Sequence, residues 1–293
     1  LGSDSSDSPT LLHTSDNGAT WTAVATANVV GASNIAFADV DNGWIVSESG
    51  LHSTHDGGVT WSVVSLPTGA DTVAAVAATH DRVFVSFADN DGVGIAESPV
   101  GSDDFVAADY HLPFGAGPAL GVELSVGGSY GALVYTDRTF TGAAEIRDGE
   151  WSKWDPSCPF ANPSASAGLS PSGNALTIAC GPSGWGDNEP IVAADLSAGE
   201  LRWVTIEPVA DGPTQIEFTA ATDAKVRVVI YLKVDGSHEI VSSTDAGATW
   251  NARTSVPAES GPTAIAPLPG GGLLVALATG GGLVSSDAVS WSS

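Results

Sequence analysis

Three observations in the sequence predict an all-β protein, a β-propeller of four-stranded antiparallel blades. First, the pattern D-x-G-x-T-W occurs at Asp16 to Trp21, Asp56 to Trp61 and Asp245 to Trp250, and a worn copy holds Asp287, Ser290 and Trp291. Second, aromatic residues able to take the Trp position (Trp21, Trp61, Phe105, Trp151, Trp203, Trp250 and Trp291) recur 40 to 52 residues apart. That interval suits four short strands and their turns, one blade. Third, short apolar-polar runs alternate with Gly- and Asp/Asn-rich turns, and no segment of useful length carries a helical period.

Each D-x-G-x-T-W copy reads as a hairpin corner between the third and fourth strands of a blade. Asp accepts hydrogen bonds from nearby backbone N–H groups, Gly takes a positive φ, and the hydroxyl adds a local bond. Trp opens the next strand and buries its ring between neighbouring sheets. Taken in order, the clearest unit runs 34–38, 43–48, 51–54 and 60–66. The following units are 72–78, 82–88, 93–98 and 105–109; 119–126, 130–136, 143–147 and 151–154; 164–169, 175–180, 191–195 and 201–206; 215–220, 225–233, 239–243 and 249–253. A last unit holds 263–266, 273–279, 283–286 and a stub at Trp291. Small residues crowd the inner strands, as at Ala74, Ala75, Ala77 and Ala78. Six units have an inner strand, whereas the first 30 residues offer only an outer pair, 11–14 and 21–25. Six blades are favoured over seven, with that pair completing the sheet of 263–286 so that the chain ends join in one blade. The domain expectation is a Ser/Asp-rich flexible leader over 1–9 and a single propeller domain over 10–293.

These residues carry a resemblance. The corner pattern resembles the Asp box, or BNR repeat, of sialidases and related propellers. The longer run from Phe37-Ala-Asp through Gly43-Trp44 to Asp56-Gly-Gly-Val-Thr-Trp61 is similar to the repeat of photosystem-assembly-factor-like bacterial propellers. The resemblance implies a secreted or membrane-peripheral propeller that binds more often than it catalyses. Sialidase chemistry needs three arginines around a carboxylate, an acid Asp and a Tyr nucleophile assisted by Glu. Of the six arginines here, only Arg138 falls in a loop of the expected ligand face, so a typical sialidase is not expected.

With 34 acidic against 9 basic residues the net charge is −25, which repels nucleic acid and anionic membrane. No apolar run approaches the ~20 residues of a membrane span. The chain opens at Leu1, without Met or a signal segment, and reads as a mature or trimmed form. Cys158 and Cys180, the two cysteines, have no metal or redox spacing. A disulfide between them is expected, and with it a secreted, periplasmic or cell-surface location.

In a propeller the loops joining one blade to the next, and the second strand to the third, share the face where ligands bind. Its longest loops here are 109–118 and 181–190. Trp185, Tyr110 and Phe114 are candidate stacking platforms for a glycan or protein ligand, with Asp187, Glu189 and Arg138 as polar contacts. The alternative is a glycoside hydrolase or lyase using paired carboxylates drawn from Asp187, Glu189 and Asp137. Asp89 and Asp91 resemble half of a calcium loop without its later oxygen ligands, so no cofactor is expected, calcium being a minor alternative. A monomer is expected.

Overall fold

The structure is a computed structural model. It describes residues 2–3, 9–14, 20, 22–24, 29, 31–67, 69–70, 72–89, 91–113, 121–128, 130–136, 141–155, 163–182, 191–195, 202–206, 213–223, 225–268 and 271–292. The chain is an all-β propeller of six antiparallel blades, and among the described residues the one helical element is a short 3-10 turn at Ala258–Ser260. Blade 1 is β4 (Asn34–Phe37), β5 (Gly43–Ser47), β6 (Gly50–Thr54) and β7 (Ser62–Val63). Blade 2 is β8 (Thr72–Ala78), β9 (Arg82–Ala88), β10 (Gly92–Pro99) and β11 (Val106–Pro113). Blade 3 is β12 (Gly121–Gly127), β13 (Tyr130–Thr136), β14 (Thr141–Arg147) and β15 (Glu150–Trp154). Blade 4 is β16 (Pro163–Leu169), β17 (Leu176–Pro182), β18 (Ile191–Asp195) and β19 (Arg202–Ile206). Blade 5 is β20 (Pro213–Ala221), β21 (Arg227–Lys233), β22 (His238–Ser243) and β23 (Ala252–Val256). Blade 6 has β24 (Pro262–Pro267), β25 (Leu273–Leu277) and β26 (Gly282–Ser285), with a Val284–Ser292 bridge as the stub of its fourth strand.

Ahead of them stands a three-stranded sheet of β1 (Gly2–Ser3), β2 (Pro9–His13) and β3 (Thr22–Val24). In it Gly2–Ser3 pairs with Pro9–Thr10. Of the expected outer pair, Leu11 to His13 pair with Thr22 to Val24 in this sheet, and Val284 of β26 bridges to Ser292. By contact the chain divides into two compact units, Leu1–Phe114 and Gly115–Ser293.

The second strands of blades 1 and 5 are buried on both faces, because a neighbouring sheet covers each. The sequence there is therefore a continuous apolar run, Trp44-Ile-Val46 in β5 and Val228 to Tyr231 in β21, without the alternation of a half-exposed strand. Within the first unit Trp44, Val46 and Leu51 of blade 1 pack on Val76, Val83 and Val85 of blade 2. Within the second, Val134 meets Leu176 and Ile178 across blades 3 and 4. Ile191 and Ile206 likewise meet Val229 and Tyr231 across blades 4 and 5. Inner strands are also fastened by polar side chains that accept the next inner strand's N–H groups: Asn34 from Val76 (2.7 Å), Glu123 from Ala167 (2.9 Å) and Ser164 from Ile216 (2.9 Å). At Gly168 the approach is closer still. A Cβ there would lie 2.3 Å from the Thr219 carbonyl oxygen of β20, so only hydrogen fits.

The sequence places the fourth strands of blades 1 and 5 too early. Strand pairing begins at Ser62 and at Ala252, after Trp61 and Trp250. The reason is local: the Thr60 and Thr249 N–H groups, which a strand starting there would use, are donated to Asp56 and Asp245 instead. Blade 3 turns differently. Asp148 (φ 51°) and Gly149 (φ 87°) make a two-residue hairpin loop between Arg147 and Glu150, as an Asp-Gly pair favours.

Candidate functional site

The intact corners of blades 1 and 5 share one hydrogen-bond pattern. Thr54 or Ser243, at the end of the third strand, donates its hydroxyl to Oδ1 of Asp56 or Asp245 (2.8 and 2.7 Å). The same hydroxyl accepts the N–H of Gly58 or Gly247 (2.8 and 2.9 Å). Each Asp also accepts the Thr60 or Thr249 N–H (2.8 Å in both) and that residue's hydroxyl (2.6 and 2.7 Å). The Trp61 and Trp250 Nε1–H groups close onto the Gly58 and Gly247 carbonyls at 3.1 Å. Hydrogen bonds from Thr60 and Thr249 hold both carboxyls down at about 2. The worn corner keeps half of this: Asp287 accepts the Val289 and Ser290 N–H groups and the Ser285 hydroxyl. These carboxylates face their own main chain.

One difference between the corners gives a direct prediction. Gly57 of blade 1 has φ 72°, and Ala246 holds the equivalent place with φ 61°. A Cβ in the left-handed region is strained. Ala246→Gly is expected to stabilise the protein by ~0.5–1 kcal/mol, read as a raised denaturation midpoint.

The hydroxyl one residue earlier does a second job that sequence reading misses. Ser53 donates to Asp103 of the blade 2 corner (2.5 Å), and Ser242, its repeat equivalent, donates to the Ala288 carbonyl of the blade 6 corner (2.5 Å). Each ties its blade to the next. Asp103 (φ 56°) is the centre of a wider network, accepting the Trp44 Nε1–H (3.0 Å) and facing His55 Nε2 (3.0 Å). The other ring nitrogen of His55 lies 2.7 Å from Asn42 Oδ1, and Asn42 donates to Asp39. The only signal in the sequence is that Trp44, Ser53 and His55 sit in the best-formed repeat. Their partner Asp103 lies in a degenerate one.

Most of the predicted ligand residues lie outside the described residues: Trp185, Asp187, Glu189, Phe114, Asp137, Arg138, Cys158, and Asp16 with Trp21 of the first corner. Tyr110 is described and half-buried on β11, and burial raises its hydroxyl above the usual range. Cys180 is fully buried in β17, and among the described residues there is no free cysteine. Asp89 makes a turn: it accepts the Asp91 and Gly92 N–H groups (2.8 and 3.0 Å) and faces His111 Nε2 (3.0 Å), and against partial burial these contacts hold its carboxyl below the ordinary carboxylate range. Among the described residues no group of three or more His, Cys, Asp or Glu side chains is arranged to hold a metal.

Two carboxyls at the loop ends of inner strands were not singled out by sequence. Burial pushes Glu123, the third residue of β12, up to about 7, against hydrogen bonds from Ala167 and Ser166. Glu217 sits at a bulge between Ile216 and Phe218 of β20, and its carboxylate lies 2.9 Å from Nε2 of the buried His238. Burial raises Glu217 too, and the His238 contact opposes that rise. Chemically, Glu123 can carry a proton near neutrality, but its carboxyl is engaged as a clasp between β12 and β16.

No protein-family model matches the chain, and no curated protein does. Solved structures do. YCF48 bound to a D1 peptide is similar over 99% of this chain and 87% of that one, at TM-score 0.59 and 15% identity. The GH74 enzyme of Niastella koreensis is similar at TM-score 0.58 and 15% identity, over 97% of this chain but 48% of that one. A putative 6-phosphogluconolactonase from Bacteroides uniformis matches at TM-score 0.65 and 15% identity, over 100% of this chain and 93% of that one. These likenesses show the fold, which is shared by propellers recorded with a bound peptide and propellers described as enzymes.

Proposed function

We propose that the protein is an exported, non-catalytic binding or assembly scaffold. It acts as a monomer and takes a protein segment or a glycan at the loop ends of its blades. The observation that carries this reading is that the repeated aspartates among the described residues, Asp56, Asp245 and Asp287, are engaged by their own corners, which supports a structural role for the repeat. It gains support from the likeness to YCF48, which is recorded with a bound peptide. In this reading the corners are Asp boxes of the BNR kind. The ligand contacts are Tyr110, Phe114, Trp185, Asp187, Glu189 and Arg138. A Cys158–Cys180 bond braces the loops that present them, stiffening the surface before it binds. Neither calcium nor another cofactor is required.

A second reading, a glycoside hydrolase, is favoured by one specific observation, the Glu123 carboxyl held near neutrality, and by the likeness to a GH74 enzyme about twice the length of this chain. One experiment separates the two. The purified protein is applied to glycan and peptide arrays and, in parallel, to a panel of chromogenic glycosides. The scaffold reading expects saturable binding without chromophore release, weakened by Trp185→Ala and by reduction with dithiothreitol, and indifferent to a chelator. Turnover that disappears in Asp187→Asn, Glu189→Gln or Glu123→Gln would establish the hydrolase instead.

A further inference from the structure

Blade 1 exposes apolar side chains that its turns do not require. Val40 is 85% exposed at the tip of the β4–β5 turn, and Val59 is 72% exposed in the β6–β7 corner. The two turns abut. Gly57 donates its N–H to the Asp41 carbonyl at 2.9 Å, and a Cβ on Gly57 would lie 3.0 Å from the Val40 carbonyl oxygen. Phe37, itself partly exposed, continues the apolar surface, its ring edge-on to Trp61 at 6.3 Å. Corner geometry does not call for valine at 59: blade 5 has Ala248 there with the same hydrogen bonds. Turn tips are ordinarily polar, so Val40 is likewise surplus to the fold.

The rim of this surface carries one sign of charge. Asp39, Asp41 and Asp56 are exposed in the two turns themselves, and Asp104 is exposed next to Asp103, whose carboxylate faces His55. Hydrogen bonds from Asn42 hold the Asp39 carboxyl below its ordinary range, and those from Thr60 and Thr54 do the same for Asp56, so both stay ionised well into acid. Among groups able to carry positive charge, His55 is already engaged by Asp103 and Asn42, His80 acts on Asp39, and Arg82, two residues on, is paired with Glu97. Charge complementarity therefore selects a cationic partner, and the valines select one with apolar side chains.

We propose that this corner end of blade 1 docks an extended basic peptide segment. An apolar side chain of the segment covers Val40 and Val59, and its flanking lysines or arginines meet Asp39, Asp41 and Asp104. The surface is distinct from the loop ends and does not rest on the reading given for them.

The test uses the whole protein and a fluorescein-labelled nonapeptide of lysines around two central leucines, followed by anisotropy. Saturable binding is expected, weakened about tenfold in the V40S/V59S double variant and about tenfold for an all-lysine peptide. It should be unchanged in V234S, an exposed valine on blade 5. A glutamate–leucine counterpart should not bind. Equal binding by V40S/V59S would mean attraction to net charge alone and would overturn the proposal, as would no binding by the wild type. Sedimentation of the protein by itself covers the remaining occupant: a dimer abolished by V40S/V59S would give the surface to a second copy and overturn it too.

Discussion

Trp44→Ala is expected to destabilise the protein by about 3–5 kcal/mol, the largest effect of any single truncation considered. Trp44 is fully buried, and its ring fills the space between blades 1 and 2 against Val76, Val83 and Val85. Removing it leaves a cavity that flanking β-sheets cannot close, because each is held by its own ladder. It also removes one of the donors to Asp103, which accepts the Trp44 Nε1–H at 3.0 Å and keeps Ser53 and His55. Trp44→Phe separates the two contributions. It keeps most of the ring volume and loses the hydrogen bond, so it should cost about 1–3 kcal/mol. Equilibrium denaturation of both variants beside the wild type checks the order. Equal, small losses would mean that the blade interface does not depend on this residue.

The second large effect depends on pH. Burial raises Glu123 from its ordinary 4.5 to about 7 in the folded protein. For a group raised on folding, the stabilisation relative to the charged form is complete below pH 4.5. It is lost as pH rises through the folded value, because ionisation is then easier in the unfolded chain. Glu123 is therefore a liability that grows between pH 4.5 and 7, reaching on the order of 3 kcal/mol above that window. Glu123→Gln carries no charge and can still accept the Ala167 N–H. Its stability should match wild type at pH 4 and exceed it at pH 8. Parallel stability curves across that range would show that the carboxyl is solvated and not enclosed between β12 and β16.

The corners pull in the opposite direction. Asp56 and Asp245 are lowered on folding, to about 2. Their contribution is present above the ordinary carboxylate value near 3.8 and fades as pH falls through about 2. Acid should thus strain the corners of blades 1 and 5 while it relieves the β12–β16 clasp.

Much of this fold is legible in the sequence because blade construction is local. Hairpin turns sit at Gly and Asp, apolar runs mark the doubly covered second strands, and the corner pattern repeats in three places. The same reading fails where a residue answers to a partner that strand periodicity does not record. Thr60 and Thr249 have good strand character, yet their N–H groups belong to the aspartate four residues back, so the strands start late. Asp103 looks like a turn residue of a worn corner, but its carboxylate serves Trp44, Ser53 and His55, some fifty residues earlier in sequence. Glu123 and Glu217 carry no signal in the sequence, and burial against a neighbouring strand or side chain is what alters them. No periodicity records a partner in the next blade. The loops that carry the ligand residues are less legible again, since their composition specifies neither strand nor packing partner.

The account rests on the repeated aspartates being bound by their own corners. The direct measurement is a carboxyl-carbon NMR titration of Asp56 and Asp245 in the intact protein, with and without calcium. The corners predict two ionisations near pH 2 that calcium leaves in place. Midpoints near the ordinary value of 3.8, or resonances that move when calcium is added, would show carboxylates open to solvent or to a ligand and would contradict it.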